Sequence, residues 1–208
     1  MYTRDDTMIP YNLTSYDRYE LERDIADFLN PVDIHRVMSA YDLAEEVHHH
    51  QKRNDDSPYF FHCARVCKIL LKEINVQDPD ILIAGLTHDV LEDSPTLTQE
   101  VLAYNFGEYA AFIVHILTKN LDEQRIDPDA IERAHLELLA KSPSDCLIIK
   151  LAARLDNFRC LDFHLKRNPL VYVNRTNELY LPLADSSNNS YLQKLSEELK
   201  KERNKFLG

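Results

Sequence analysis

Apolar residues recur along the chain at three- and four-residue spacing, as in Val66, Ile69 and Leu70, with no competing strand alternation. Helix starts punctuate this pattern. Three carry the same chemistry, an Asn or Asp cap followed by proline at the first helical position: Asn30-Pro31, Asp78-Pro79 and Asp127-Pro128. "TLTQ" at 96–99 reads as a capping box between Thr96 and Gln99, and Pro95 stops the preceding helix just after Asp93. The pattern predicts helices over 15–29, 31–53, 62–75, 79–93, 97–105, 107–119, 128–141, 144–161, 170–185 and 188–206. The second half of the polar stretch from Gln51 to Phe61, with Pro58, reads as a loop. The last helix carries Tyr191, Leu195 and Leu199 as a narrow stripe among many charges, which fits a packing helix or a partner contact.

Composition agrees with an all-α chain of about eight to ten helices: 208 residues hold three glycines and no tryptophan, and 28% are charged. That length fits one domain with a sizeable core. The formal net charge of −11 excludes a surface built to coat nucleic acid or an anionic membrane, because both need clustered Lys and Arg. A small anion remains possible where local basic groups or a metal receive it. Cys63, Cys67, Cys146 and Cys160 form no CxxC pair and read as reduced core residues. With no apolar run of membrane-spanning length and no signal-peptide form at the N-terminus, the expectation is a cytoplasmic protein. The oligomeric state is left open.

The apolar run Ile81–Ala84 leads into "LTHDVLED", which places His88, Asp89, Glu92 and Asp93 within eight positions. An imidazole next to a carboxylate suits a divalent ion such as Mn²⁺, Fe²⁺ or Zn²⁺. Glu92 and Asp93 close a helix, where acidic groups oppose the macrodipole, so they are poorly placed for stability alone. His62 opens an apolar helix, and "IIKLAARLDNFRCL" at 148–161 carries Lys150, Arg154, Asp156 and Asn157, which need partners if buried.

The motifs "HHHQKRNDDSPYFFH", "LIAGLTHDVLEDSPT", "FGEYAAFIVHILTKN", "IIKLAARLDNFRCL" and "NELYLPLA" resemble, in order and approximate spacing, the hydrolase domain of the RelA/SpoT family, within the HD superfamily of metal-dependent phosphohydrolases. The resemblance covers about 40–185, with 1–39 and 186–208 as helical extensions of one domain, and the chain looks like a stand-alone small alarmone hydrolase. It implies a Mn²⁺ ion held by His62, His88 and Asp89. It implies that Glu92 and Asp93 position and activate the attacking water, and that Arg53 and Asn157 contact a phosphorylated nucleotide; Lys52 and Arg154 join them as the local donors a polyanion needs on so acidic a chain. The implied reaction removes pyrophosphate from the 3′ position of guanosine tetra- or pentaphosphate.

The chain departs from the family pattern at informative places. "LAARLDN" stands where the family reads Leu-Ala-Asp-Arg-x-His-Asn, so Ala153 occupies the position of the fourth metal ligand and Asp156 that of the usual histidine. Either Asp156, one turn on, swings in as the fourth ligand, or the site keeps three ligands and water and is weakly occupied. A displacement of about 4.5 Å along the helix favours the second, with Asp156 then paired to Lys150, Arg154 or Arg159. "NDD" at 54–56 replaces the usual Lys-Ser-Gly, and of His48, His49 and His50 only His48 matches a family position. The alternative to a hydrolase is a degenerate relative that binds a nucleotide or a protein partner without hydrolysis.

Overall fold

The computed structural model describes residues 9–119, 126–161 and 168–207. A 3₁₀ turn (Tyr11–Leu13) precedes α1 (Arg18–Ile25) and α2 (Pro31–Val47). Next come α3 (Phe60–Lys68), which runs on in π-helical turns (Ile69–Ile74), then α4 (Pro79–Thr87) and α5 (Val90–Asp93). They are followed by α6 (Gln99–Phe106), α7 (Glu108–Leu117), α8 (Pro128–Lys141) and α9 (Ser144–Cys160). The chain ends with α10 (Pro169–Arg175) and its π-helical continuation (Thr176–Tyr180), α11 (Leu181–Asp185) and α12 (Ser190–Leu207). The protein is all-α, and among the described residues the only bridge between extended segments pairs Lys52 with Pro58.

The proline-led starts form as their chemistry predicts. Asn30 accepts from the amides of Val32 and Asp33, Asp78 from Asp80 and Ile81, and Asp127 from Ala130. Asn168-Pro169 repeats the device at α10. At α6 the cap is Thr98, not Thr96: Thr98 has the extended backbone a cap requires, and its hydroxyl accepts from Val101.

Helix α9 is the hub. It packs against α3, α4, α7, α8 and α12, while α2 lies along α4. Leu147, Ile148, Leu151, Ala152 and Leu155 bury its flanks, and Leu192, Leu195 and Leu199 seat α12 on the rest. Gly85 lets α4 approach the end of α3, since a Cβ there would lie 2.5 Å from Leu70 Cδ1. The four cysteines are free and buried. No described helix is long and apolar enough to cross a membrane.

Two predicted helices end early, and both breaks serve the cleft. The helix expected over 31–53 stops at Val47, and the chain folds back on itself: Arg53 N–H donates to Ser57 C=O at 2.9 Å and Tyr59 N–H to Gln51 C=O at 3.0 Å. The helix expected over 79–93 breaks at His88 and Asp89. There His88 Nδ1 lies 2.8 Å from the Gly85 carbonyl, the acceptor that an unbroken helix offers to the Asp89 amide. His88 and Glu92 are therefore not successive positions on one regular helix.

Candidate active site

The end of α4, the start of α3 and the middle of α9 meet at a cavity of about 460 Å³. On its wall, donor atoms of His62, His88 and Asp89 lie within 4.8 Å of one another. The two imidazole rings are 5.2 Å apart at steep angles. Each has its Nδ1 engaged, His62 with Asp156 Oδ2 at 2.6 Å and His88 with the Gly85 carbonyl at 2.8 Å. That leaves both Nε2 atoms for a ligand. Asp89 Oδ2 accepts the Tyr59 hydroxyl at 2.7 Å. Burial alone would raise the Asp89 carboxyl, but His88, His62 and the Tyr59 hydroxyl outweigh it and hold the group well below the usual carboxylate range. Burial, then the nearby Arg53 charge, lowers His62 to about 4, so its imidazole is neutral, the form that binds metal. Two imidazoles held in fixed orientation and one ionised carboxylate fit a divalent metal of the first transition row.

Asp156 does not join this cluster, which corrects the first of the two alternatives, that it reaches a metal in place of the family's aspartate. Fully buried, it bonds Arg65 Nε at 2.6 Å, Tyr11 Oη at 3.0 Å and His62 Nδ1, with Arg53 at 3.4 Å. One turn beyond Ala153 its carboxylate faces α3 and the N-terminal turn, so its partners are not Lys150, Arg154 and Arg159. Ala153 itself lines the cavity.

Glu92 and Asp93 separate. Glu92 lines the cavity, with Oε1 accepting the Lys119 amide at 2.7 Å; burial, reinforced by Asp89, raises its carboxyl to about 7. Asp93 faces away toward the end of α2, 3.6 Å from His48 Nδ1. His48 is buried, bonded to Gln51 Oε1 at 2.8 Å and packed on the Tyr59 ring. His49 and His50 are exposed, as a solvated helix end would be.

Lys52, Arg53, Arg154 and Asn157 all line the cavity. Arg53 bonds the Asn157 side-chain oxygen, and Asn157 Nδ2 donates to the Tyr172 hydroxyl at 3.1 Å. Arg154 is committed to the fold. It donates to Glu132 at 2.8 Å and to Thr176 at 2.7 Å, and stacks 3.5 Å above the Tyr180 ring. Arg175 also pairs with Glu132. Of the acidic "NDD" stretch, Asn54 lines the cavity, while Asp55 is tied into the loop by Ser57 and Asn12.

Two cavity lysines, Lys119 and Lys150, were not among the expected site residues. Neither ammonium is ion-paired with a described residue. Burial, then the charges of Lys150 and Arg154, lowers Lys119 to about 8, the mark of a crowded cationic pocket. Lys150 shares the helix face of Ala153 and Arg154, a spacing visible in the sequence; Lys119 enters only through the placement of α7. Tyr59, which orients Asp89, was likewise missed because it lies 30 residues from its partner.

Comparisons with known proteins identify the family. Residues 40–187 match the HD domain family. A guanosine-3′,5′-bis(diphosphate) 3′-pyrophosphohydrolase of Aquifex aeolicus is 32% identical over 79% of this chain, and a GTP pyrophosphokinase of Streptomyces coelicolor is 34% identical over 73%. The matched parts are 23% and 18% of those relatives, so the chain spans about a fifth of their length. A solved structure described as a metazoan ortholog of SpoT that hydrolyzes ppGpp superposes with a TM-score of 0.68 at 26% identity, over 80% of this chain and 94% of that one. The fold, the His62, His88 and Asp89 cluster and these likenesses together place the chain in the HD-domain family, as a hydrolase domain of the RelA/SpoT type.

Proposed function

We propose that this protein hydrolyses guanosine 3′,5′-bis(diphosphate) or its pentaphosphate counterpart at the 3′ position, releasing pyrophosphate, with Mn²⁺ as cofactor. The observation that carries this reading is the convergence of His62, His88 and Asp89 beside a cavity lined with cations on a chain of net charge −11. A polyanion is received there only because Lys52, Arg53, Lys119 and Lys150 reverse the local sign.

His62 and His88, through Nε2, and Asp89 would hold the divalent ion. Such an ion supplies Lewis acidity to a phosphoryl oxygen and acidifies water. The chain's own groups do the rest. Glu92, with one oxygen held by the Lys119 amide, offers the other to take the proton of the attacking water; a carboxyl near neutrality suits both acceptance and return of that proton. Lys119 and Lys150 hold phosphate charge, and Arg53 with Asn157 presents a planar guanidinium and an amide to the nucleoside. Asp93, bound toward His48, shapes the approach to Glu92 rather than touching the water. The free, buried thiols suit a cytoplasmic setting.

Ala153 favours a second reading, in which the nucleotide binds and hydrolysis is residual, because the wall offers a methyl where the family has a carboxylate. One experiment separates them: metal content after purification without chelator, and pyrophosphate release from a panel of guanosine and adenosine polyphosphates with added Mn²⁺. Release of pyrophosphate from a guanosine 3′-diphosphate supports the hydrolase. Binding without release supports the second reading, and a protein that takes up neither metal nor nucleotide overturns both.

A further inference from the structure

Asp156 is fully buried, and a carboxylate in such a place is strongly destabilising unless it is paired and fully hydrogen-bonded. Its partners form a closed set. Arg65 grips both oxygens, Nε to Oδ1 at 2.6 Å and Nη2 to Oδ2 at 3.2 Å. Arg65 is itself fixed by the backbone carbonyls of Asn12 at 3.2 Å and Thr14 at 2.7 Å. Tyr11 adds its hydroxyl at 3.0 Å. A structural Arg–Asp pair would be complete with these groups. The remaining short contact, 2.6 Å from Oδ2 to His62 Nδ1, joins the pair to the metal-binding cluster.

We propose that Asp156 and Arg65 act as a positioning pair for His62, replacing by orientation part of what the cluster lacks at Ala153. The carboxylate accepts Nδ1–H, which fixes the tautomer with its lone pair on Nε2, facing His88 and Asp89, and makes that nitrogen a better donor. Arg65 anchors the carboxylate on the far side, so that it cannot rotate into the cluster as a ligand. The N-terminal turn is thereby part of the site's support, since Asn12 and Thr14 fix Arg65. The inference rests on the reading of His62, His88 and Asp89 as metal ligands.

The first test uses the unaltered, metal-free protein: ¹⁵N-resolved spectra of the imidazoles at neutral pH, with His62 assigned by His62→Gln. The expected result is a single His62 tautomer protonated on Nδ1; an Nε2–H tautomer overturns the inference whatever the metal does. The second is Mn²⁺ titration calorimetry on two paired variants, each removing both buried charges. Arg65→Met with Asp156→Leu takes away the acceptor and should weaken Mn²⁺ binding about 10–100-fold. Arg65→Met with Asp156→Asn keeps an amide oxygen for Nδ1–H but loses its anchor, and its Mn²⁺ affinity should lie between that of the first variant and that of the unaltered protein. Equal affinity in both variants overturns the pair's role. Absence of Mn²⁺ binding by the unaltered protein would instead sink the metal-site reading, and the tautomer spectrum would still report on Asp156. Should neither variant fold, that spectrum decides alone.

Discussion

The amide of Lys119, just beyond α7, donates to Glu92 Oε1 at 2.7 Å, with Glu92 three residues past the break at Asp89. This bond selects one carboxylate oxygen as structural and leaves the other for chemistry. Glu92→Gln keeps an oxygen for the Lys119 amide and removes only the basic one. Pyrophosphate release should fall by about 10²-fold or more, with nucleotide affinity changed little. A variant that retains most of its turnover would show that Glu92 is not the proton acceptor.

Lys119 itself carries an ammonium lowered to about 8 by burial and by Lys150 and Arg154, a cost a bound phosphate would relieve. Lys119→Gln should therefore weaken nucleotide binding by roughly tenfold, about 1.4 kcal/mol, and flatten its dependence on salt. Fluorescence or calorimetric titration at two ionic strengths checks both, and an unchanged affinity would remove Lys119 from the substrate site. The loss should grow with the number of phosphates on the ligand.

His135 on α8 is buried, with Nε2 3.0 Å from the Ile116 carbonyl and no partner on Nδ1 among the described residues. Burial, then the charges of Lys150 and Lys119, lowers it from 6.5 to about 3. Above pH 6.5 both folded and unfolded chains hold it neutral, and it makes no pH-dependent contribution. As pH falls below 6.5 the unfolded chain takes the proton first, so stability declines until about pH 3, by on the order of a few kcal/mol. Urea unfolding between pH 7.5 and 4.5 should show this slope, and His135→Gln should flatten it; an equal slope in both proteins would assign the loss to other groups.

Much of this was legible in the residues, for identifiable reasons. Asn30, Asp78 and Asp127 cap the helices they were expected to cap, because a side-chain oxygen and a proline act locally. His62, His88 and Asp89 converge as their motif positions implied. What failed was local regularity read too far. Treating 79–93 as one helix hid the bond of His88 to Gly85 that breaks it, and the partners of Asp156 were sought along α9 when Arg65, 91 residues away, holds it. Lys119 and Tyr59 both lie within the motifs that resemble the family, but their partners Glu92 and Asp89 are 27 and 30 residues away, and only tertiary placement shows the contacts.

Because Arg65 and Tyr11 hold Asp156 and its side chain turns to His62, nothing on α9 fills the position that Ala153 leaves on the cavity wall. Ala153→Asp would put a carboxylate there, in a cluster that already holds Asp89 and Glu92. Without metal the added charge meets Asp89 and Glu92 but also Lys119 and Lys150 in the same cavity, so the metal-free variant should melt close to the unaltered protein. With Mn²⁺ the same oxygens share a divalent cation. Mn²⁺ affinity should rise by about an order of magnitude or more, and hydrolysis at limiting Mn²⁺ should rise with it. The gain in melting temperature on adding Mn²⁺ should be larger for the variant, as binding to the folded state alone requires. Calorimetry and melting with and without Mn²⁺ read both halves of the prediction. Unchanged Mn²⁺ affinity would mean that the three residues and water already satisfy the ion, and that the methyl at 153 costs the site nothing.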